Sequence, residues 1–374
     1  MRYLNLFSAF WRLDWILISS VILLSLLGLA SIYSANLGII GGTFLTFKKQ
    51  LLFLGGGLVF LFLGAGMDYR ILKNYTRPLY FVTLAILLFV LFFGSVQRGT
   101  RGWLNFGVFS FQIVEWAKLV AVVFMASYLS EWARLLNQWR HVFTSGVGVF
   151  LLFVLVFLQP DFGSSMVIFF LWLSVSLVSG IKKTHFLMIL SLLALAAAIG
   201  WVGFLKPYQK DRIESFLDPY ADPLGRGYNL HQALIATGGG GFWGKGLGAG
   251  SQSQLKFLPE SQTDFIFAAI SEELGFVGST FLLVLFGILF WRMYLIIRNA
   301  RDDFGLFLVL GIWIVFWIQV VINVGMNIGI MPVTGISLPF VSYGGSFYLV
   351  AMFMVGLSQS VHLRVDSMEL DSRD

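Results

Sequence analysis

Six ionisable side chains stand inside or beside long apolar stretches of this chain: Glu115, Lys118, Asp161, Asp264, Glu272 and Glu273. Asp264 is the most exacting of them. It lies where the polar run Pro259-Glu260-Ser261-Gln262-Thr263 meets the apolar run Phe265-Ile266-Phe267. A carboxylate at a water–lipid boundary is costly to hold, so its presence calls for a role. Glu115 and Lys118 are three residues apart, hence on one face of a helix, and can pair with each other. Asp161 sits in the tight turn Gln159-Pro160-Asp161-Phe162-Gly163. These three residues suit a substrate-facing network, and equally a structural one in which Glu115 and Asp161 neutralise Lys118 and lock helices together. Glu272 follows Asp264 by eight residues and so returns near the same helical face, where it and Glu273 suit packing or a polar lining.

Other chemistries are excluded. There is no cysteine, so thiolate metal sites, disulfides and Cys nucleophiles are absent. The four histidines, at 141, 185, 231 and 362, lie too far apart to show ligand spacing. Gly239 to Gly246 spells GxxxxGK, but a phosphate loop needs Ser or Thr next to the Lys and a strand before the loop. Gly246 takes that place, which leaves a turn-rich loop able to let backbone approach a ligand.

The elements that must position these residues are membrane helices. The 374 residues are 58% hydrophobic and 12% charged, against roughly 25% charge in soluble domains. Ten apolar segments are long enough to span a bilayer, near 13–34, 50–67, 77–94, 112–130, 142–158, 163–181, 186–204, 264–291, 304–330 and 342–363. The fold class is therefore an all-α polytopic membrane protein, read as a single domain over 1–374. Arg70, Lys73, Arg77, Arg134, Arg140, Lys182, Lys183, Arg292, Arg298 and Arg301 crowd the loops of one side. The other side's short loops hold Lys48, Lys49, Arg98 and Arg101. The positive-inside rule then puts both termini in the cytoplasm and a long loop, about 205–263, outside. Within it, Tyr228 to Ala236 has the pattern of a short amphipathic helix. Arg98, Arg101, Lys48, Lys49 and Trp103 share that outer side. They could form a cationic, aromatic mouth suited to a diphosphate and a sugar ring, although Trp103 alone would equally serve as an interfacial anchor. No basic domain lies outside the membrane, so nucleic acid is not an expected partner.

Asn323 to Ser346 reads NVGMNIGIMPVTGISLPFVSYGGS. This segment closely resembles the diagnostic one of the SEDS family, the shape, elongation, division and sporulation proteins that include RodA and FtsW. Four further blocks match in order: Gly102-Trp103-Leu104 through Leu119; Gln159-Pro160-Asp161; Asp218-Pro219 through Tyr228; and Leu258-Pro259-Glu260 through Phe267. The run Ser251 to Glu260 looks more like the RodA branch than the FtsW branch. The pattern departs at Ile113-Val114, where Pro-Ser is usual, at Ser337, where Pro is frequent, and at Phe347, where a small residue is usual.

The resemblance implies a peptidoglycan glycosyltransferase of the bacterial cytoplasmic membrane that polymerises lipid II during cell elongation. It implies that Asp264 is the essential acidic residue, as general base or as ligand of a divalent cation, Mg2+ or Mn2+. Trp103, Glu115, Lys118, Asp161, Lys49 and Arg101 become supporting or substrate-binding candidates, with loop cations such as Lys210 and Arg212 also able to assist the departing diphosphate. Ser342 to Ser346 is expected to allow close helix approach or an unwound start to the last span, not nucleophilic catalysis. The implied partners are a class B penicillin-binding transpeptidase and other elongation-complex membrane proteins. Two readings compete with the polymerase: a flippase that carries lipid II across the bilayer, for which charges spread along a midplane path would be expected, and a scaffold, which leaves Asp264 without a role.

Overall fold

The computed structural model describes residues 10–371 apart from 38–43, 98, 106, 108–109, 134–137, 204–206, 219–221, 223–224 and 226. Helices dominate, in the order α1 (Trp15–Leu37), α2 (Leu45–Gly66), α3 (Arg70–Asn74), α4 (Thr76–Phe93), α5 (Ile113–Trp132), α6 (Trp139–Leu158), α7 (Phe162–Val178) and α8 (Lys183–Gly203). The chain continues through α9 (Pro207–Leu217), α10 (Tyr228–Gly239), α11 (Ser251–Gln254), α12 (Ile266–Asn299), α13 (Asp303–Asn327) and α14 (Gly345–Asp371). Eight of these are long and apolar enough to cross a membrane, and α7 and the start of α8 are shorter apolar helices. Together they fall on the ten expected segments.

Local chemistry sets the helix ends. Asp161 caps α7, accepting from the Ser164 amide at 3.0 Å, and Asp302 caps α13, accepting from the Gly305 amide at 2.8 Å. Inside the helices, Ser20, Ser25 and Thr83 return their hydroxyls to backbone carbonyls three or four residues earlier, so few polar hydrogens face lipid. Lipid tails provide no hydrophobic drive for helix association, so close packing must do so. Along the seam of α2 and α14, a Cβ added to Gly356 would lie 2.2 Å from the Leu61 carbonyl oxygen, and one added to Gly64 would lie 2.9 Å from that of Phe353. Only glycine permits that approach.

Three features go beyond the sequence reading. Three short strands, β1 (Ser95–Gln97), β2 (Thr100–Asn105) and β3 (Ser110–Gln112), form an antiparallel sheet. Strands of three to six residues carry too little periodicity to announce themselves. Secondly, α12 breaks at Gly275, whose φ of 67° is open to glycine. There the amides of Phe276 and Val277 take the carbonyls of Gly241 and Phe242 at 2.9 and 3.2 Å, stitching the glycine-rich loop into the helix. Thirdly, residues 328–344 are irregular, so the last helix starts at Gly345, three residues later than the hydropathy suggests. The expected helix after Tyr228 is present as α10, with Leu230, Ala233 and Ala236 buried against the body.

Candidate active site

A cavity of about 440 Å³ opens among β2, β3, α5, the α6–α7 turn, the turn leading into α12, α13 and the irregular segment before α14. Its lining includes Trp103, Glu115, Lys118, Asp161 and Asp264. Residues 161 positions apart in sequence thus meet in one space.

Each is placed by local structure. The β2–β3 pairing sets Trp103 opposite Gln112. Gln112 is followed at once by α5, whose first turns carry Glu115 and Lys118. Lys118 Nζ donates to both carboxylate oxygens of Glu115, at 2.9 and 3.0 Å, and lies 5.7 Å from the centroid of the Phe347 ring. Both members of the pair are buried, Lys118 at 3% and Glu115 at 7% exposure. Phe347, a departure from the family pattern, therefore supplies an aromatic face to the ammonium. Asp161 is held by the Ser164 amide and by Gln112 Nε2 at 3.2 Å. No ion pair joins Asp161 to Lys118, so the expected three-membered charge network reduces to a Glu115–Lys118 pair with a separately anchored Asp161. The cause is the capping bond, which turns the Asp161 carboxylate to the α7 terminus.

Asp264 is held from its backbone. The amides of Asn323 and Asn327, both fully buried on α13, donate to its carbonyl at 2.9 and 3.1 Å. Asn323 also donates to the Ile336 carbonyl at 2.7 Å, and the Asn327 side-chain oxygen accepts from the Ala268 amide at 3.1 Å. Ser342 Oγ donates to the Thr263 carbonyl at 2.6 Å, and the Tyr343 amide to that of Gln262 at 2.8 Å. Asn323 and Ser342 thus bind the Asp264 turn to the irregular segment 328–344, and Asn327 binds it to α13. Ser342 is spent on that task, as the expectation of a structural role requires. Gly335, at φ +76°, passes so near that an added Cβ would lie 3.4 Å from Asp264 Oδ2.

Two candidates stand apart. Arg101 is exposed on β2 and is not among the lining residues. Nor is Lys49, whose buried neighbour Gln50 on α2 accepts from the Gly344 amide at 3.4 Å. Lys210 is likewise not among the lining residues. Arg98 and the side chain of Arg212 lie outside the described residues. Among the described residues the lining therefore carries three carboxylates and one ammonium, fewer cations than expected.

Glu272 and Glu273 serve the glycine-rich loop. Glu272 is fully buried and accepts from Lys245 Nζ at 2.8 Å, from the amides of Gln252 and Ser253 at 2.9 and 3.1 Å, and from Ser253 Oγ at 3.1 Å. The lysine of the GxxxxGK run is thus committed to a buried carboxylate. Glu273 accepts from Ser34 Oγ on α1.

The polar stripe of α13 escaped the sequence reading. Gln319, Asn323 and Asn327 recur every four residues in an otherwise apolar helix, a spacing that puts all three on one face. Intramembrane polar residues on one face are a functional signal, and that spacing could have found them.

The whole chain is similar to known proteins. The stage V sporulation protein E of Bacillus subtilis is 39% identical over 355 residues, which cover 93% of this chain and 96% of that one. The peptidoglycan glycosyltransferase MrdB of Escherichia coli is 37% identical over 312 residues, 82% of each chain. A solved structure of a peptidoglycan synthase complex that coordinates polymerization and crosslinking contains a chain 32% identical to this one. It superposes with a TM-score of 0.80 over 94% of this chain and 98% of that one. The cell cycle protein family model FTSW_RODA_SPOVE matches residues 12–366, and with this polytopic helical architecture the chain belongs to the SEDS family.

Proposed function

We propose that this chain is a peptidoglycan glycosyltransferase that polymerises lipid II, working as the RodA-type member in cell elongation. The observation that carries the reading is the convergence of Asp264, the Lys118–Glu115 pair, Asp161 and Trp103 on one cavity. Polymerisation forms a bond between a sugar 4-oxygen and the anomeric carbon of a lipid-diphosphate sugar, and breaks the bond from that carbon to the diphosphate. The proton of the attacking hydroxyl passes to the Asp264 carboxylate, and the lipid diphosphate leaves with the bonding electrons. The fixed backbone of Asp264 suits the task, since a base held in place spends no energy on reorganising during the reaction. Trp103 offers a face on which a sugar ring can stack.

Among the described residues Lys118 is the one cationic side chain in the lining, and Glu115 already occupies it. A diphosphate entering beside three carboxylates therefore calls for further positive charge. Among the described residues no three of His, Asp and Glu gather as a metal-binding group. Mg2+ commonly binds through one or two carboxylates plus substrate phosphates and water, and Asp264 with the diphosphate fits that mode. A bound divalent cation would neutralise the leaving diphosphate. The elongation assignment rests on the run Ser251–Glu260, because identities of 39% and 37% to a sporulation protein and to MrdB do not choose a branch. The synthase complex supports a crosslinking partner, proposed as a class B penicillin-binding transpeptidase. The charge bias supports cytoplasmic termini, with the cavity toward the outer face.

The test supplies labelled lipid II to the purified protein, alone and with its penicillin-binding partner, with and without EDTA. Glycan polymer from the wild type and none from Asp264→Ala, with folding retained, is the expected result. EDTA sensitivity would assign the cation. Polymer from Asp264→Ala would overturn its role as base. Lipid II crossing liposome membranes without polymer would make the protein a flippase.

A further inference from the structure

Gln319 lines the cavity and has no task in the chemistry above. Its side chain is buried at 1% exposure on α13, one turn before Asn323, which holds the Asp264 carbonyl. Its Oε1 is buried and has no hydrogen-bond partner in the protein. Among the described residues, Gln159, Ser176, His185, Gln252 and Glu273 also bury an unpaired atom, but none of these lines the cavity. A buried amide oxygen without a donor costs about 1–3 kcal/mol, and native proteins seldom leave one so. Gln319 also lines the cavity, so the cavity is the side from which a bound molecule can reach its amide.

The chemistry of that partner follows from the amide itself. A primary amide is neutral and presents an acceptor beside a donor, and exchanging its two heteroatoms leaves one of each. It adds no charge for a diphosphate, which Lys118 or a cation would meet better. It complements a neutral group that also presents a donor beside an acceptor. On a sugar of the lipid-linked disaccharide, that group is the acetamido substituent, with its N–H and C=O. On the glycosyltransferase reading above, we propose that Gln319 recognises an acetamido group of the substrate, making it a specificity-determining residue beside Asp264. Its position on the Gln319-Asn323-Asn327 face would tie sugar recognition to the helix that fixes the Asp264 backbone.

The experiment compares lipid II with a synthetic analogue bearing hydroxyls in place of the acetamido groups. Both are offered to wild type, Gln319→Leu and Gln319→Met, with equilibrium binding and polymer formation read separately. The wild type should bind the acetamido substrate about tenfold to a hundredfold more tightly than the analogue, the range expected for one buried hydrogen-bonding group. In both variants that ratio should fall to within about threefold, through weaker binding of the acetamido substrate. Thermal unfolding of the ligand-free variants should be unchanged or raised, because an unpaired buried polar group has been removed. A preserved ratio in both variants would overturn the proposal, as would loss of folding in both, which would make Gln319 a packing residue. The two readouts separate the claims. Discrimination that depends on Gln319 without any polymer would uphold recognition and defeat the transferase reading, and polymer with undiminished discrimination would do the reverse.

Discussion

Lys118→Met is the perturbation that most sharply separates packing from chemistry at this site. It removes the ammonium that both Glu115 oxygens accept, at 2.9 and 3.0 Å, and leaves a carboxylate at 7% exposure. Breaking a buried pair from one side typically costs about 3–5 kcal/mol, because the remaining charge is uncompensated. Glu115→Leu should cost less, since Lys118 keeps the Phe347 ring 5.7 Å away and faces the cavity, a cation–π contact being worth about 0.5–2 kcal/mol. The double variant Glu115→Leu/Lys118→Met should return to within about 1 kcal/mol of wild type, as apolar replacements of buried pairs generally do. Unfolding would be followed by SDS titration in bicelles, with lipid II polymerisation measured on the same preparations. If the ammonium meets substrate, the double variant regains stability and stays inactive. Recovery of both would make the pair a packing device. A Lys118→Met variant within about 1 kcal/mol of wild type would refute the reasoning, since it would mean that Glu115 is not desolvated as its burial implies.

Asn323→Ala should orphan the Ile336 carbonyl and leave that of Asp264 with Asn327 as its one side-chain donor, at a cost of about 1–3 kcal/mol. Polymerisation should fall well beyond what the lost stability explains, and full activity at an unchanged melting temperature would contradict the positioning role. Glu272→Gln sets an amide donor against the Lys245, Gln252 and Ser253 donors that the carboxylate now accepts. The loop around residues 240–254 should open, so tryptic cleavage after Lys245 should accelerate several-fold, and an unaltered cleavage rate would count against the anchor.

Composition and pattern were enough to establish the helical membrane fold, because a bilayer admits few alternatives for a chain this apolar and spans must be written out in sequence. The i,i+3 spacing of Glu115 and Lys118 foretold their pairing for a similarly local reason: helix geometry makes neighbours of residues three apart. The resemblance singled out Asp264 and the blocks around Trp103, Glu115 and Asp161 before any coordinates. That these residues share a cavity was decided by tertiary structure alone, since sequence separation carries no distance between helices. The same holds for the exclusions. Arg101 and Lys49 were placed at the mouth by charge and sidedness, and the lining of the cavity includes neither. Asp161 went to a helix cap that competes for the same carboxylate. Gln319 shows the converse, because a glutamine in an apolar helix reads as packing until its neighbours are known to leave it unpaired. Sequence specifies which groups the bilayer must tolerate and where along each helix they sit. Only the packing of those helices decides which groups find partners in the protein and which are left to bind something else.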